Sequence, residues 1–451
     1  MKKAFRILIA LIVLAIIATV ALIAVPVKRT PPNETLPADW KAEPGRGQYV
    51  MRAADCAACH TAKGGQPLAG GLAIASPMGT IWSSNITPDK DTGIGNWTLD
   101  QFRAALVDGI SADGKHLYPA MPYENYRLMS ESDLRALYDY LMHDVPPVSS
   151  KVQETQLGFP FNLRFGIRAW NWLALSGNAD LKPVDSADLQ ARGRYLVEGA
   201  GHCAACHSPR TSFMAQDGKR LGDGNFLTGG NVAGWNAPAL RGPNASISRW
   251  TPEELAAYLS TGRNAHAVAN GEMALAIEHS LQYLTDNDVK AMATFLKGMD
   301  GQPVQAVADG FASPGPRSIA VPPADAQGAA TAKLLTEASP DMPLGARLYL
   351  DNCAACHFAS GKGAPGIFPE LQGNAQANGK DPAALLSVIL HGTASPSTDK
   401  RPMHLVMQGY ADRLNDEEAA ALATFVRGGW GNRGSAVTAA QAAQARAAAA
   451  H

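Results

Sequence analysis

No cysteine in this chain stands outside three copies of one pentapeptide, Cys56-Ala57-Ala58-Cys59-His60, Cys203-Ala204-Ala205-Cys206-His207 and Cys353-Ala354-Ala355-Cys356-His357. The copies lie about 150 residues apart, and none has a second CxxC beside it to complete the four-ligand tetrahedron of structural zinc. Charge of either sign is also not in excess. With 39 Lys and Arg against 40 Asp and Glu, the net charge is −1, which leaves no basic footprint for a nucleic acid.

The pentapeptide that remains carries a specific chemistry. Two thiols three positions apart can both form thioether bonds to one porphyrin, and the adjacent histidine then offers its imidazole to the iron. Cys56, Cys59, Cys203, Cys206, Cys353 and Cys356 are therefore read as attachment points for three covalently bound haem c groups. His60, His207 and His357 are read as the proximal iron ligands. The 43 glycines and 30 prolines point to long irregular loops between short helices.

At the amino end, Lys2, Lys3 and Arg6 precede an apolar run from Ile7 to Val27, followed by Lys28 and Arg29. The run is long enough to span a bilayer as a helix and is poorly provided with a small-x-small cleavage site. It reads as an uncleaved anchor over residues 1–30, with the remainder exported to the periplasmic side of a bacterial cytoplasmic membrane.

Aligned with itself, the chain shows a repeat. A short helical pattern with a glycine precedes each motif, at Gly47, Gly193 and Gly345, where the missing side chain would let another helix cross closely. A second helix runs from Thr98 to Gly109, from Thr251 to Gly262 and from Asp381 to Gly392, opened by a side-chain oxygen and closed by glycine. A last helix opens at Ser130, Thr285 and Asn415 with an acid three positions on, resembling a capping box. Its apolar stripe recurs as Leu137, Tyr140 and Leu141, as Met292, Phe295 and Leu296, and as Leu422, Phe425 and Val426. This predicts an all-α chain of three tandem domains, 38–148, 183–300 and 335–433, after the transmembrane helix. Residues 149–182 are too aromatic for a solvated linker and are expected to pack over the first two domains, with a membrane surface or partner as the other reading. Residues 301–334 read as a tether, and 434–451 as a disordered tail.

An iron that shuttles electrons needs a second axial ligand. Between the two later helices of each repeat lies a methionine, Met121 in a proline-flanked loop and Met273 after Asn270-Gly271-Glu272. The third repeat offers both Met403 and Met407, and internal spacing favours Met403. His116, His266 and His404 are the alternatives for bis-histidine coordination, whereas His202 reads as a surface or supporting residue. Met51, Met129, Met214, Met292 and Met299 read as core filler.

The three motifs combine with Ser84-Asn85-Ile86-Thr87-Pro88-Asp89, Gly93-Ile94-Gly95-Asn96-Trp97, Pro119-Ala120-Met121-Pro122-Tyr123 and Trp430-Gly431-Asn432. Together these resemble the triheme cytochrome c subunit of bacterial membrane-bound dehydrogenases for alcohol, gluconate, sorbitol, fructose or aldehyde, over about residues 40–433. The resemblance implies class I cytochrome c-like domains. It also implies an electron-transfer subunit, not catalytic alone, that takes electrons from a flavin, quinone-cofactor or molybdenum dehydrogenase subunit and passes them to ubiquinone or a terminal oxidase. In that family the third ligand lies in a Met-Pro-x-Phe pattern, matched here by Met407-Gln408-Gly409-Tyr410. The resemblance therefore moves the choice to Met407, with Gln408 departing from the expected proline. Two rival readings are a peroxidase-like haem enzyme with an open iron and a terminal-oxidase cytochrome subunit.

Overall fold

Side-chain oxygens start five of the six repeated helices where the repeat places them, while the helix expected to open at Asp381 has Pro382 at its cap position and no side-chain cap. In the computed structural model of the chain, Thr98, Thr251, Ser130, Thr285 and Asn415 each accept a hydrogen bond from the backbone N–H three residues on. The structure describes residues 2–24, 29–32, 34–175, 187–232, 234–243, 245–301, 304–311 and 322–448. Parts of the expected anchor (25–28), aromatic segment (176–182), tether (302–303 and 312–321) and tail (449–451) lie outside the described residues.

Two compact units divide the chain, one of Met1–Met51, Cys59–Pro183 and Ser212–Ala215, the other of Arg52–Ala58, Val184–Thr211 and Gln216–His451. In chain order the first repeat contributes α2 (Arg46–Ala53), α3 (Cys56–His60), α4 (Leu99–Asp108), α5 (Tyr123–Tyr126) and α6 (Glu131–His143), preceded by the apolar α1 (Lys2–Ala24) and followed by α7 (Phe165–Ala174). The second contributes α8 (Leu189–Tyr195), α9 (Ala204–His207), α10 (Pro252–Thr261), α11 (Gly271–His279) and α12 (Asp286–Gly298). The third contributes α13 (Ala329–Glu337), α14 (Leu344–Asn352), α15 (Ala354–His357), α16 (Ala375–Asn378), α17 (Ala383–His391), α18 (Asp416–Gly428) and α19 (Ala439–Ala447).

The expected all-α class is overturned: helix makes up 43 % of the chain, beside antiparallel sheets. β1 (Ala73–Ser76) pairs with β2 (Gly79–Trp82), which also pairs with β3 (Gln156–Leu157). β4 (Gly230–Val232) pairs with β5 (Trp235–Ala237), and β6 (Thr393–Ala394) with β7 (Val406–Met407). Loops this long still have to satisfy their backbone N–H and C=O groups. Short hairpins do so, turned by glycine at positive φ (Gly79, +134°; Gly234, +82°).

The close helix crossing recurs as expected. A Cβ built on Gly47 would lie 2.2 Å from the Ala136 carbonyl oxygen, on Gly193 1.9 Å from that of Ala291, and on Gly345 2.3 Å from that of Ala421. The last helix of each repeat thus lies directly on the glycine of the first. Overpacking usually costs about 1–3 kcal/mol, and here the obstacle is backbone that cannot swing aside. Gly193→Ala is expected to reach or exceed that range, seen as a lowered thermal midpoint of the haem-loaded protein; an unchanged midpoint would disprove the contact.

A coupled substitution distinguishes the third repeat. Asp133 and Asp288 do not complete capping boxes. Arg46 Nε and Nη2 each donate to Asp133 at 2.8 Å, and Arg192 does the same to Asp288 at 2.8 and 2.7 Å, tying first helix to last in a bidentate pair. Leu344 stands at the matching place in α14, and the position of the aspartates is taken by Glu418, one methylene longer, which closes a full capping box on Asn415.

The tail beyond residue 434 differs from the expected disorder. Thr438 caps α19 with a full capping box, Ala442 is fully buried, and Arg446 Nε donates to Asp416 at 2.8 Å. Its alanines are small enough to lie flat on α17 and α18, which composition alone does not reveal. The end of the expected tether is also structured: it starts α13, and Asp325 accepts from Lys362 and Gln372 at 3.1 and 3.0 Å.

Candidate haem sites

Each pentapeptide coils into a helical turn, α3, α9 or α15. Positions i, i+3 and i+4 of a helix share one face, so two sulfurs and an imidazole are presented together. No disulfide forms among the six cysteines, and burial pushes the Cys203 and Cys353 thiols up to about 12.

Behind each histidine the structure repeats one detail. His60 Nδ1 lies 2.7 Å from the Ser84 carbonyl oxygen, His207 Nδ1 2.8 Å from that of Pro238, and His357 Nδ1 3.1 Å from that of Pro369. A carbonyl can only accept, so Nδ1 carries the proton and the lone pair is left on Nε2, the tautomer a ligating histidine needs. Burial lowers all three imidazole pKa values, more than the carbonyl bond raises them, and keeps the rings neutral. The residues present therefore fit a c-type haem.

The histidine backbone is held as well. Gly70, Gly229 and Gly363 donate their N–H to the carbonyls of His60, His207 and His357 at 2.8, 2.7 and 3.3 Å, each at positive φ (+71°, +102°, +59°). A Cβ on Gly70 would lie 2.6 Å from the Ser84 oxygen, and one on Gly363 2.6 Å from that of Pro369. In these two sites a side chain there would displace the oxygen that orients the imidazole.

The candidate distal residues are placed differently from one another. Met121 keeps its expected loop, half-buried, just before α5. Met273 does not lie in a loop. It sits in the first turn of α11, because the Ala- and Leu-rich run that follows has high helix propensity where the first repeat has prolines. Met407 is held in β7 opposite Thr393 and packs, partly buried, against the buried cluster that includes Tyr349, a cluster that Cys353 and Ala354 also pack against. Met403 is 72 % exposed and is not part of that cluster.

Among the alternative histidines, His266 has both ring nitrogens engaged, Nε2 with Glu254 at 3.3 Å and Nδ1 with Glu370 at 3.2 Å. His116 is buried against Asn171, and His404 Nδ1 lies 2.7 Å from the Ser395 carbonyl. Met51, Met129, Met292 and Met299 are core as expected, while Met214 is exposed.

Glu370 and neighbouring backbone groups join the second and third repeats. Glu370 N–H donates to the His266 carbonyl at 2.9 Å, Gly366 N–H to that of Asn264 at 3.0 Å, and Ser397 N–H to Glu278 at 2.7 Å. Hydrogen bonds that the ring donates to Glu254 and Glu370 raise the His266 pKa from 6.5 to about 9. A raised pKa adds stability that is complete below the unfolded value and is lost as pH climbs through the folded one. The thermal midpoint is thus expected to fall between pH 6.5 and 9, and His266→Gln should flatten that slope; equal slopes in a melting series would refute the role.

Paired sulfurs and a neutral, carbonyl-held imidazole on a single helical turn, set in small helical repeats, define a c-type cytochrome. A cytochrome c family profile matches residues 45–143 and 343–430. The chain is 40 % identical to the gluconate 2-dehydrogenase cytochrome c subunit of Pantoea cypripedii, over 86 % of this chain and 85 % of that one. It is 40 % identical to the fructose dehydrogenase cytochrome subunit of Gluconobacter japonicus, over 95 % and 88 %. It is 38 % identical to the cytochrome c subunit of the quinone alcohol dehydrogenase of Gluconobacter oxydans, over 86 % and 78 %. The chain belongs to this family of dehydrogenase cytochrome c subunits.

Sequence reasoning missed the carbonyl acceptors at Ser84, Pro238 and Pro369. One signal was present: Ser84 opens the Ser-Asn-Ile-Thr stretch, in which Asn85 Oδ1 accepts from Thr87 N–H and Oγ1 at 2.9 and 2.8 Å, fixing the loop that carries the oxygen. The two proline acceptors follow hairpin or loop residues that no periodicity marks.

Proposed function

We propose that the chain is a three-haem electron relay, anchored in the bacterial cytoplasmic membrane by α1, with its haem domains on the periplasmic side. It accepts electrons from a catalytic dehydrogenase subunit of flavin, quinone-cofactor or molybdenum type and delivers them to ubiquinone or a terminal oxidase. The observation that carries the count is the threefold recurrence of the Nδ1–carbonyl bond behind a CxxCH turn. The second repeat shares it, although the family profile passes over that segment. For the anchor, α1 is supported by an apolar stretch of 19 residues, Lys3–Ala21, that is not buried in the protein.

Haem supplies reversible one-electron chemistry. The residues of the chain do the rest. Cys56 and Cys59, Cys203 and Cys206, and Cys353 and Cys356 would tether the three groups, while His60, His207 and His357 would present Nε2. Met121, Met273 and Met407 would also hold the irons, through thioether sulfur that favours the reduced state and keeps out gases and peroxide.

The test is the haem content of the full chain purified from detergent-solubilised membranes, by pyridine haemochrome and intact mass. Three haems per polypeptide, little carbon monoxide binding and copurification of a dehydrogenase subunit are expected. Two haems, or large carbon monoxide binding, would overturn the relay.

A further inference from the structure

Helix α7 is inside out. Ile167, Arg168, Asn171 and Ala174 are buried, so the face turned to the protein carries the guanidinium and the amide. Phe165, Trp172 and Leu173 lie on the opposite stripe, with Trp172 59 % and Leu173 68 % exposed. The loop before it adds Phe159 at 80 % and Phe161 at 53 %. Trp170 Nε1 donates to the Phe213 carbonyl at 2.7 Å, which joins the exposed Phe213 ring to the same surface. A soluble helix arranges these residues the other way round, and an exposed aromatic patch of this kind marks a contact surface.

What covers it is indicated by Asp108, at the end of α4. The Asp108 carboxylate accepts from Thr30 N–H at 3.1 Å and from Thr30 Oγ1 at 2.5 Å. Arg103 Nη2 donates to the Pro31 carbonyl at 2.8 Å. The chain just beyond the apolar span is therefore clamped onto α4. The carbonyl of the same Asp108 accepts from Asn171 Nδ2 of α7 at 3.0 Å, and α7 also packs against α1 itself. One residue thus fixes both the exit of the span and the buried face of the inverted helix.

We propose that α7 and the Phe159–Phe165 loop lie in the headgroup–acyl boundary of the bilayer that α1 crosses. This rests on the anchoring role of α1 given above. Trp and Phe on an in-plane helix favour that boundary, where their rings displace interfacial water without entering the hydrocarbon core. The cytochrome is then held at two places, with α7 setting its height and tilt above the lipid.

The test uses the full haem-loaded chain in phosphatidylcholine–phosphatidylglycerol nanodiscs containing a lipid with a diazirine near the head of its acyl chain. After irradiation, peptides are mapped by mass spectrometry. Adducts on α1 and on residues 159–173 are expected, and Trp172→Gln with Leu173→Gln should lose those on α7 while keeping those on α1 and the haem spectrum. Adducts on α1 alone overturn the inference and leave the anchor standing, whereas adducts on neither overturn both. Absence of lipid adducts on 159–173, with amide protection there appearing only when the dehydrogenase subunit is bound, assigns the patch to protein and also overturns it.

Discussion

Changing Cys203 and Cys206 together to serine is expected to lower the haem content from three per chain to two and to cut the relay at its middle repeat. A hydroxyl makes no thioether, so His207 alone would have to retain the group. The readouts are pyridine haemochrome per polypeptide and the fraction of haem reduced when the partner dehydrogenase receives substrate. That fraction, taken per polypeptide, should fall with the haem count. Where the double variant fails to accumulate, Cys203→Ser alone keeps one thioether, and its haemochrome band should shift to the single-linkage position. An unaltered haem count in the double variant would remove the basis for reading Cys203 and Cys206 as attachment points.

Met407→Ala and Met403→Ala are expected to separate sharply. Met407 packs, partly buried, against the core of the third repeat, whereas Met403 is 72 % exposed. Loss of the Met407 sulfur should open the third iron, so that about one-third of the reduced haem binds carbon monoxide. The potential of that site should also drop, within the roughly 0.8 V window that axial ligation spans. Met403→Ala should leave both the spectrum and the titration curve as in wild type. The reverse result would transfer the ligand to Met403, the residue that internal spacing alone selects.

Covalent chemistry was legible because a pentapeptide holds all of its reacting atoms within one helical turn. Helix starts at Thr98, Thr251 and Asn415 were legible because a cap acts across three residues. The crossing glycines could be inferred because three copies aligned. What stayed hidden depends on contacts between distant segments. Ser84 meets His60 from 24 residues away, and Glu370 meets His266 from 104. The Arg46–Asp133 and Arg192–Asp288 pairs, against Leu344 with Glu418, form a correlated change that means nothing until both helices are in place. Ala442 reads as low complexity until α17 and α18 are there to bury it. The strands were missed because each is only two to four residues long, too short for a period of two to register.

The bolting of the second repeat to the third has a kinetic corollary. Tunnelling between redox centres decays exponentially with their separation, so a hinge there would spread the transfer rate over a range of values. Backbone bonds from Gly366 to Asn264 and from Glu370 to His266, with Pro396 filling the space over Gly262, deny the pair that freedom. Flash-initiated transfer between these two centres should then follow a single exponential, and its time constant should be insensitive to solvent viscosity.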